Sequence, residues 1–267
     1  MTNPAETAIK SHLHTRYFGR PLLAFDTLES TNSQAGILAG HGFGEGTVVY
    51  AERQTRGRGR WGREWISPGG MGLWFSLILK PAGGFVAVQT APLWLCAALL
   101  DALETVCRIT LNIRWPNDLV HQGKKLAGIL CETSGTEKTF IYLIAGIGIN
   151  VLQQPSDFPD GLRNTATSLF MISGKQWDRH VLLAHILAAM ENAYDVFNRE
   201  GSRPFLKRWK EKSDIINQSI SLQEKDRMIR GRVKDFGPLG DLILETGKGE
   251  ARSFMQGEVI RIHAADD

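Results

Sequence analysis

The segment from Gln54 to Trp65 combines the residue types that bind a small anionic molecule. It reads Gln-Thr-Arg-Gly-Arg-Gly-Arg-Trp-Gly-Arg-Glu-Trp, with four arginines and three glycines. Arginine presents a permanently charged planar fork to carboxylate or phosphate oxygens, and glycine allows the backbone to approach a ligand closely. The segment therefore predicts a loop around an anion, although a nucleic-acid-binding loop or a solvated turn could have the same composition.

Gly57, Gly59 and Gly62 also match the G-x-G-x-x-G spacing of dinucleotide-binding proteins. That motif requires a helix immediately afterwards and an acidic residue about 20 positions further on. Here Pro68 and the glycines up to Gly72 prevent the helix, and a lysine stands near the acidic position. No Gly-Lys-Ser/Thr phosphate-binding loop is present either. Both of these nucleotide motifs are excluded.

Polar side chains interrupt three further apolar segments. They are Asn117 and Asp118 after Trp115-Pro116, Lys125 before Leu126–Leu130, and Asn150 after Gly146–Ile149. On composition alone, Asn-Asp is typical of a turn, and a lysine can reach solvent along its own stem. Otherwise an ammonium group beside apolar surface needs an anion or a water-filled site, which makes Lys125 a candidate anion ligand.

The elements that position these residues alternate between strand and helix patterns. Strand-like segments are 22–25, 47–51, 73–79, 109–113, 126–132 and 139–149, and helical ones are 30–39, 89–108 and 178–200. Gln122-Gly123 suits a tight hairpin turn. After Asp214, short strands at 219–222, 229–233, 241–244 and 259–262 alternate with charged or glycine-rich turns. This pattern predicts an α+β domain over 1–215 and a small β-barrel or sandwich over 216–267.

Composition limits the class of protein. The 267 residues are 43% hydrophobic and carry a net charge of +3, which is too slight for a general polyanion binder. The three cysteines suit buried, reduced thiols. No signal-peptide pattern and no stretch of about 18 apolar residues is apparent. We therefore expect a cytoplasmic protein that does not span a membrane.

Together, six segments in order resemble the biotin protein ligases (biotin–acetyl-CoA-carboxylase ligases). They are Glu29–Asn32, Gln54 with Gly57–Arg63 and Trp65, Trp115–Leu119, Lys125–Leu130, Gly146–Asn150, and Gly257-Glu258. The resemblance covers the chain from about Leu22 onward. It implies a mixed β-sheet backed by helices, followed by a C-terminal SH3-like barrel. The residues ahead of Leu22 are too few for the helix-turn-helix domain of regulatory members, so we expect the monofunctional type, without DNA binding.

The resemblance implies a reaction in two steps. The carboxylate of biotin attacks the α-phosphate of ATP to give biotinyl-5′-AMP and pyrophosphate. A lysine of the biotin carboxyl carrier protein of acetyl-CoA carboxylase then displaces AMP. Mg²⁺ is expected with ATP. Edge strands of the sheet could pair with the carrier or with a second copy of the chain, so a homodimer is left open.

The resemblance also implies a role for each candidate residue. Catalysis would fall to Lys125, Arg60 and Arg58. Biotin would be bound by Ser30, Thr31, Asn32, Gln54, Arg58, Gly59, Arg60, Lys125 and Gly128. The nucleotide would contact Trp65, which stacks on adenine, together with Asn117, Asp118 and Asn150. Asp118 would either help to hold Mg²⁺ or receive the incoming lysine, and these alternatives stay open.

Two other functions fit part of this pattern. A lipoate protein ligase would share the fold and the chemistry, but its substrate has no urea group. The neutral polar side chains of Ser30–Asn32 and Gln54 therefore favour biotin. A nucleic-acid-binding module would use Arg58–Arg63 to follow phosphates, but it gives no task to Trp115–Asp118 or Lys125.

Overall fold

The computed structural model describes residues 3–134, 141–247 and 249–263, which form two β-sheets and six α-helices. The strands of the larger sheet are β1 (Leu22–Leu28), β2 (Val48–Gln54), β3 (Gly72–Leu79), β4 (Asn112–Arg114), β5 (Asp118–His121), β6 (Lys124–Ser134) and β7 (Tyr142–Asn150). The helices are α1 (Pro4–Ser11), α2 (Thr31–Gly40), α3 (Gly84–Cys107), α4 (Leu169–Ser173), α5 (Arg179–Glu200) and α6 (Arg203–Lys212). The predicted α+β class is confirmed.

The larger sheet has the strand order β1-β2-β3-β7-β6-β5-β4. Strands β1 and β2 are parallel, and every other neighbouring pair is antiparallel. All eight residues of β3 are buried, because α3 and α5 cover one face of the sheet and α2 covers the other. This double coverage explains why β3 reads as a nearly continuous apolar run rather than an alternating one.

Local signals explain where several elements begin and end. The carboxylate of Asp178 accepts hydrogen bonds from the N–H groups of His180 and Val181 and so caps α5. Gly201 ends this helix with a φ of 70°. The turn between β5 and β6 consists of Gln122 and Gly123, with φ values of 48° and 79°, which is the hairpin turn expected from the sequence.

Helix α3 is the most apolar long helix among the described residues. By length and composition alone it could cross a membrane, and 72% of its most apolar window is buried inside the protein. It packs against α5 and the larger sheet as a core helix. A helix in the core of a protein can have the same length and composition as a membrane span.

The N-terminal segment is fastened to α5 by a buried carboxylate. Glu191 is only 3% exposed. It accepts hydrogen bonds of 2.8 Å from the backbone N–H groups of Arg16, Tyr17 and Phe18. Burial opposes ionisation, but these bonds lower the pKa of Glu191 below its usual value.

The smaller sheet is antiparallel and has the order β11-β10-β9-β8-β12. Its strands are β8 (Ser219–Glu224), β9 (Arg227–Phe236), β10 (Leu242–Thr246), β11 (Ala251–Phe254) and β12 (Glu258–His263). This arrangement is consistent with an SH3-like domain. Residues 264–267 of the expected C-terminal domain lie outside the described residues, as do positions 139 and 140 of the expected strand 139–149.

Candidate active site

A cavity of about 530 Å³ opens beside the larger sheet and is lined by residues of both sheets. All the site residues expected from the sequence line it. They are Ser30, Thr31, Asn32, Gln54, Arg58, Gly59, Arg60, Trp65, Asn117, Asp118, Lys125, Gly128 and Asn150. Residues separated by more than one hundred positions in the chain therefore meet in one place.

One part of the cavity carries neutral polar groups. The backbone N–H and the hydroxyl of Thr31 lie 2.8 and 3.1 Å from Gln54 Oε1, and Gln54 Nε2 donates to Ser67 Oγ at 2.9 Å. Ser76 Oγ lies 2.6 Å from Asn32 Oδ1 and 2.8 Å from Thr31 Oγ1. These bonds fix the orientation of each amide and hydroxyl before any ligand arrives.

Glu132 joins this polar group to an arginine of the glycine-rich loop. Its Oε2 accepts a hydrogen bond of 2.6 Å from Asn32 Nδ2. Both its oxygens lie 3.2 Å from Arg58 Nη2, and Arg58 also donates to Ser33 Oγ at 2.8 Å. The side chains of Arg58 and Glu132 are each 42% exposed, so a ligand can reach Arg58.

Glycines leave room for the larger side chains at the site. A Cβ at Gly148 would lie 2.5 Å from Trp65 Cε2, and one at Gly128 would lie 3.1 Å from Trp65 Cζ3. A Cβ at Gly146 would collide with Asn32 Oδ1. Side chains at these positions would displace Trp65 or Asn32 from the cavity.

The glycine-rich loop is held in a defined shape. Within it, Gly59 N–H donates to Arg63 O at 2.7 Å and Trp65 N–H donates to Gly57 O at 2.9 Å. The backbone φ of Trp61 is 56°, which lies in the left-handed region. The loop thus presents its arginines from a hairpin-like turn.

Two arginines of this loop contact Gly257 and Glu258, where β12 begins. Arg60 Nη1 donates to the carbonyl of Gly257 at 2.9 Å, and Arg63 forms an ion pair with Glu258. Burial lowers the pKa of Arg60 from its ordinary value. Glu258, Val259 and Ile260 also line the cavity, so β12 forms one wall of the site.

Lys125 is positioned by its side chain and by its backbone. Its ammonium lies 2.8 Å from Asp118 Oδ1 and 5.2 Å from the centre of the Trp65 ring. Its N–H donates to Thr165 O at 2.7 Å, and its carbonyl accepts from Thr167 N–H at 2.9 Å. The connection after β7 therefore holds the start of β6 in place.

Two asparagines already have partners within the chain. Asn117 Nδ2 donates to Ile129 O at 2.5 Å, and Asn150 Nδ2 donates to Thr167 O at 3.0 Å. Gln153 Nε2 donates in turn to Asn150 Oδ1 at 3.1 Å. The amides are thereby oriented, and each retains hydrogen-bonding capacity for a ligand.

Sequence reasoning missed several residues of the site. They are Ser76, Glu132, Gln153 and the segment 165–167, and it assigned no role to Arg63 or Glu258. A polar serine inside the apolar run of β3 was a usable signal. The contacts between the loop and β12 join residues 195 and 197 positions apart, which no local pattern indicates.

Comparisons with known proteins identify relatives of the chain. The family model of the biotin/lipoate A/B protein ligase family matches residues 27–150. The bifunctional ligase/repressor BirA of Bacillus subtilis (strain 168) is 37% identical over 245 residues, which cover 92% of this chain and 75% of that protein. A biotin–[acetyl-CoA-carboxylase] ligase of Mycobacterium tuberculosis is 28% identical, with coverage of 87% and 86%.

A solved structure agrees with these sequence relationships. The biotin protein ligase from Aquifex aeolicus in complex with biotin and ATP superimposes with a TM-score of 0.77 at 31% identity. The match covers 89% of this chain and 96% of that one. The fold, the extent of these matches and the matching sequence segments lead to one conclusion: the chain belongs to the biotin/lipoate A/B protein ligase family.

Proposed function

We propose that this protein is an ATP-dependent biotin protein ligase that forms biotinyl-5′-AMP and transfers biotin to a lysine of a biotin carboxyl carrier protein. The observation that carries the proposal is a single cavity holding neutral polar groups, several cations and an indole ring. Neutral polar groups can bind a urea, and cations can bind a carboxylate and a phosphate. An indole ring can stack on a nucleotide base. Similarity to ligases crystallised with biotin and ATP supports the same function.

The neutral polar groups suit the ureido ring of biotin. A urea offers two N–H donors and one carbonyl acceptor, which neutral hydroxyl and amide groups match without charge. Thr31 and Asn32 are only 4% and 6% exposed and are oriented by Ser76 and Gln54. A dithiolane ring offers neither an N–H donor nor a carbonyl acceptor to these groups and would give up their remaining hydrogen-bonding capacity, so the site favours biotin over lipoate.

The cationic groups suit the first step. A carboxylate oxygen of biotin attacks the α-phosphorus, the bond to the β-phosphate oxygen breaks, and pyrophosphate leaves with the electron pair. The biotin carboxylate and the α-phosphate, both negatively charged, approach each other in this step. Preorganised cations therefore stabilise the negative charge of the transition state. We assign this task to Arg58, Arg60 and Lys125, with Lys125 between the carboxylate and the α-phosphate.

The second step consumes the mixed anhydride. The neutral ε-amine of the carrier lysine attacks the biotinyl carbonyl, the C–O bond to phosphate breaks, and AMP leaves as an amide forms. Asp118 lies beside Lys125, where its carboxylate can receive the proton of the incoming ammonium. Exclusion of water by the loop and β12 would protect the anhydride between the two steps.

Mg²⁺ would enter with the nucleotide. Residues 3–134, 141–247 and 249–263 contain no cluster of three or more metal-ligating side chains. Mg²⁺ commonly binds through one or two carboxylates together with substrate phosphates, and Asp118 and Glu258 both line the cavity. These residues fit a metal brought by ATP, whose charge would further neutralise the phosphates.

The proposal also assigns the protein two domains, a cellular location and a surface for partners. Residues 1–215 would form the catalytic ligase domain and 216–267 the C-terminal SH3-like domain. The protein would act in the cytoplasm, consistent with its three free cysteines. Strand β1 is at one end of the larger sheet, where a carrier or a second copy could add a strand.

Biotin-dependent exchange between ATP and pyrophosphate tests the proposal directly. We expect exchange with biotin and none with lipoate or without an acid. Purified carrier domain should then gain one biotinyl group by mass spectrometry. Exchange with lipoate alone would assign the protein to the lipoate ligases, and no exchange from a folded sample containing Mg²⁺ would refute adenylation.

A further inference from the structure

Gln153 carries a buried acceptor that has no donor in the described part of the chain. The residue is 2% exposed and lines the cavity. Its Oε1 has no hydrogen-bond partner within residues 3–134, 141–247 and 249–263. Leaving a buried polar group without a partner is destabilising, so this oxygen requires a hydrogen-bond donor from a bound molecule.

The orientation of the Gln153 amide is set by its neighbours. The carbonyl of Thr167 can only accept, so the side-chain nitrogen of Asn150 faces it at 3.0 Å. This places Asn150 Oδ1 against Gln153 Nε2 at 3.1 Å. A flipped Gln153 would bring two acceptors together. The hydroxyl of Ser168 also donates to the Gln153 carbonyl at 2.6 Å, which fixes the backbone.

This acceptor belongs to the part of the cavity next to Trp65. Gly148 and Asn150 lie on the same face of β7, two residues apart. Trp65 packs against Gly148, and Gln153 bonds to Asn150. A flat base stacked on Trp65 would therefore direct one edge toward the Asn150–Gln153 pair.

We propose that Gln153 Oε1 accepts a hydrogen bond from the 6-amino group of the adenine ring and so selects adenine over guanine nucleotides. The inference rests on the proposed use of ATP. Adenine places an N–H donor at this position, whereas guanine places a carbonyl there. With guanine, two acceptors would face each other in a buried site, and the oxygen would remain unpaired.

The first test uses the wild-type protein and three nucleotides. Biotin-dependent pyrophosphate exchange is measured with ATP, with GTP and with purine riboside triphosphate, which has hydrogen in place of the 6-amino group. We expect kcat/KM for the nucleotide to fall about tenfold or more without the amino group, and further with GTP. Equal use of ATP and purine riboside triphosphate would overturn the inference without any variant.

The second test removes the acceptor from the protein. Gln153→Met keeps the side-chain length but lacks Oε1, and Gln176→Met makes the same change at an exposed position outside the cavity. In Gln153→Met the preference for ATP over purine riboside triphosphate should fall toward one. In Gln176→Met it should remain at the wild-type value.

The two tests separate recognition of the base from a structural role. If Gln153 only supports Asn150, Gln153→Met will lower kcat/KM for both nucleotides equally and leave their ratio unchanged, which would overturn the inference. The failure of the proposed function has a different signature. In that case the wild-type protein shows no biotin-dependent exchange even with ATP.

Discussion

At the residue scale, Lys125 has the most demanding role. Its ammonium is held between Asp118 and the Trp65 ring, and its backbone is fixed on both sides by 165–167. A charge held in this way needs no rearrangement when negative charge develops on the reacting phosphate. Its contribution should therefore appear in kcat rather than in stability.

We expect Lys125→Ala to lose about 3–4 kcal/mol of transition-state stabilisation, roughly 10²–10³-fold in kcat. Circular dichroism and the unfolding midpoint should remain close to wild type, because the lysine side chain is 38% exposed. Lys124→Ala, at the neighbouring position, is the matched control. Wild-type turnover in Lys125→Ala would contradict the assigned role.

Glu132 permits a test of the polar network. Glu132→Ala leaves Asn32 Nδ2 with only the longer bond of 3.3 Å to Leu130 O, so we expect KM for biotin to rise about tenfold. Glu132→Gln retains an acceptor for Asn32 and loses the charge that faces Arg58. Its KM for biotin should change less than about threefold.

Pyrophosphate exchange rates measured over a range of biotin concentrations would give KM for biotin in both Glu132 variants. Equal effects of the Ala and Gln variants would show that the charge on Glu132, rather than the orientation of Asn32, determines biotin binding. Glu245→Gln provides a control, since it removes a carboxylate paired with Lys234 at 2.9 Å on the smaller sheet.

At the element scale, the loop and β12 act as one unit. The Arg63–Glu258 ion pair and the bond from Arg60 to Gly257 connect them. An exposed ion pair contributes only about 0–1 kcal/mol to stability. Because this one positions Arg60 over the cavity, its loss should affect catalysis more than folding.

Charge reversal tests this connection. We expect Arg63→Glu to lower kcat/KM for ATP about five- to tenfold, because two carboxylates would then face each other. Adding Glu258→Arg should restore part of the loss, as a double-mutant cycle would detect. Independent, additive losses in the double variant would mean that the pair does not couple the two elements.

The elements also show what the sequence can predict. The apolar run of β3 and the capped, periodic helix α5 carry their signals locally, and both were found near their observed ends. The polar helix α6 and the exposed strand β11 were missed, because charged or exposed residues dominate their composition. The predicted strand 109–113 begins at Asn112 instead, after α3 ends in a left-handed Arg108.

For the site as well, the residues with local sequence signals were predicted and the others were not. Residues in short local patterns, such as Lys125 and the arginines of the loop, were predicted and lie in the cavity. Glu132 and Gln153 were not predicted, because their importance arises from partners distant in sequence or from an unpaired atom. Such features exist only once the chain has folded.

At the scale of the whole molecule, a partly buried carboxylate joins the larger sheet to α5. Glu52 on β2 accepts hydrogen bonds from Tyr50 at 2.9 Å and from His180 at 3.1 Å, and forms an ion pair with Arg179 at 2.9 Å. Burial opposes its ionisation, but these partners outweigh burial and lower the pKa of Glu52 from 4.5 to about 2.

The contribution of Glu52 to the free energy of unfolding should therefore decrease at acidic pH. A carboxyl group with a lowered pKa in the folded state stabilises the protein above the unfolded pKa, and this contribution is lost as the pH falls from 4.5 to about 2. At pH 7 we expect Glu52→Gln to be less stable than wild type by about 1–3 kcal/mol. The difference should shrink as the pH falls through this range.

Thermal unfolding of both proteins across this pH range measures the difference. Glu200→Gln, at an exposed helix end, controls for the loss of a surface carboxylate. A constant difference between Glu52→Gln and wild type at every pH would show that Glu52 acts through packing rather than through its charge.

The fastening of the N-terminal segment by Glu191 has a consequence for synthesis. The backbone of Arg16 meets its carboxylate partner 175 positions later in the chain. During synthesis on the ribosome, the N–H groups of this segment therefore lack their carboxylate partner until α5 has been translated. During that interval the nascent chain exposes apolar residues of its first segment, including Ile9 and Phe18, which are fully buried in the folded protein. Chaperone binding early in translation would protect this segment until α5 arrives.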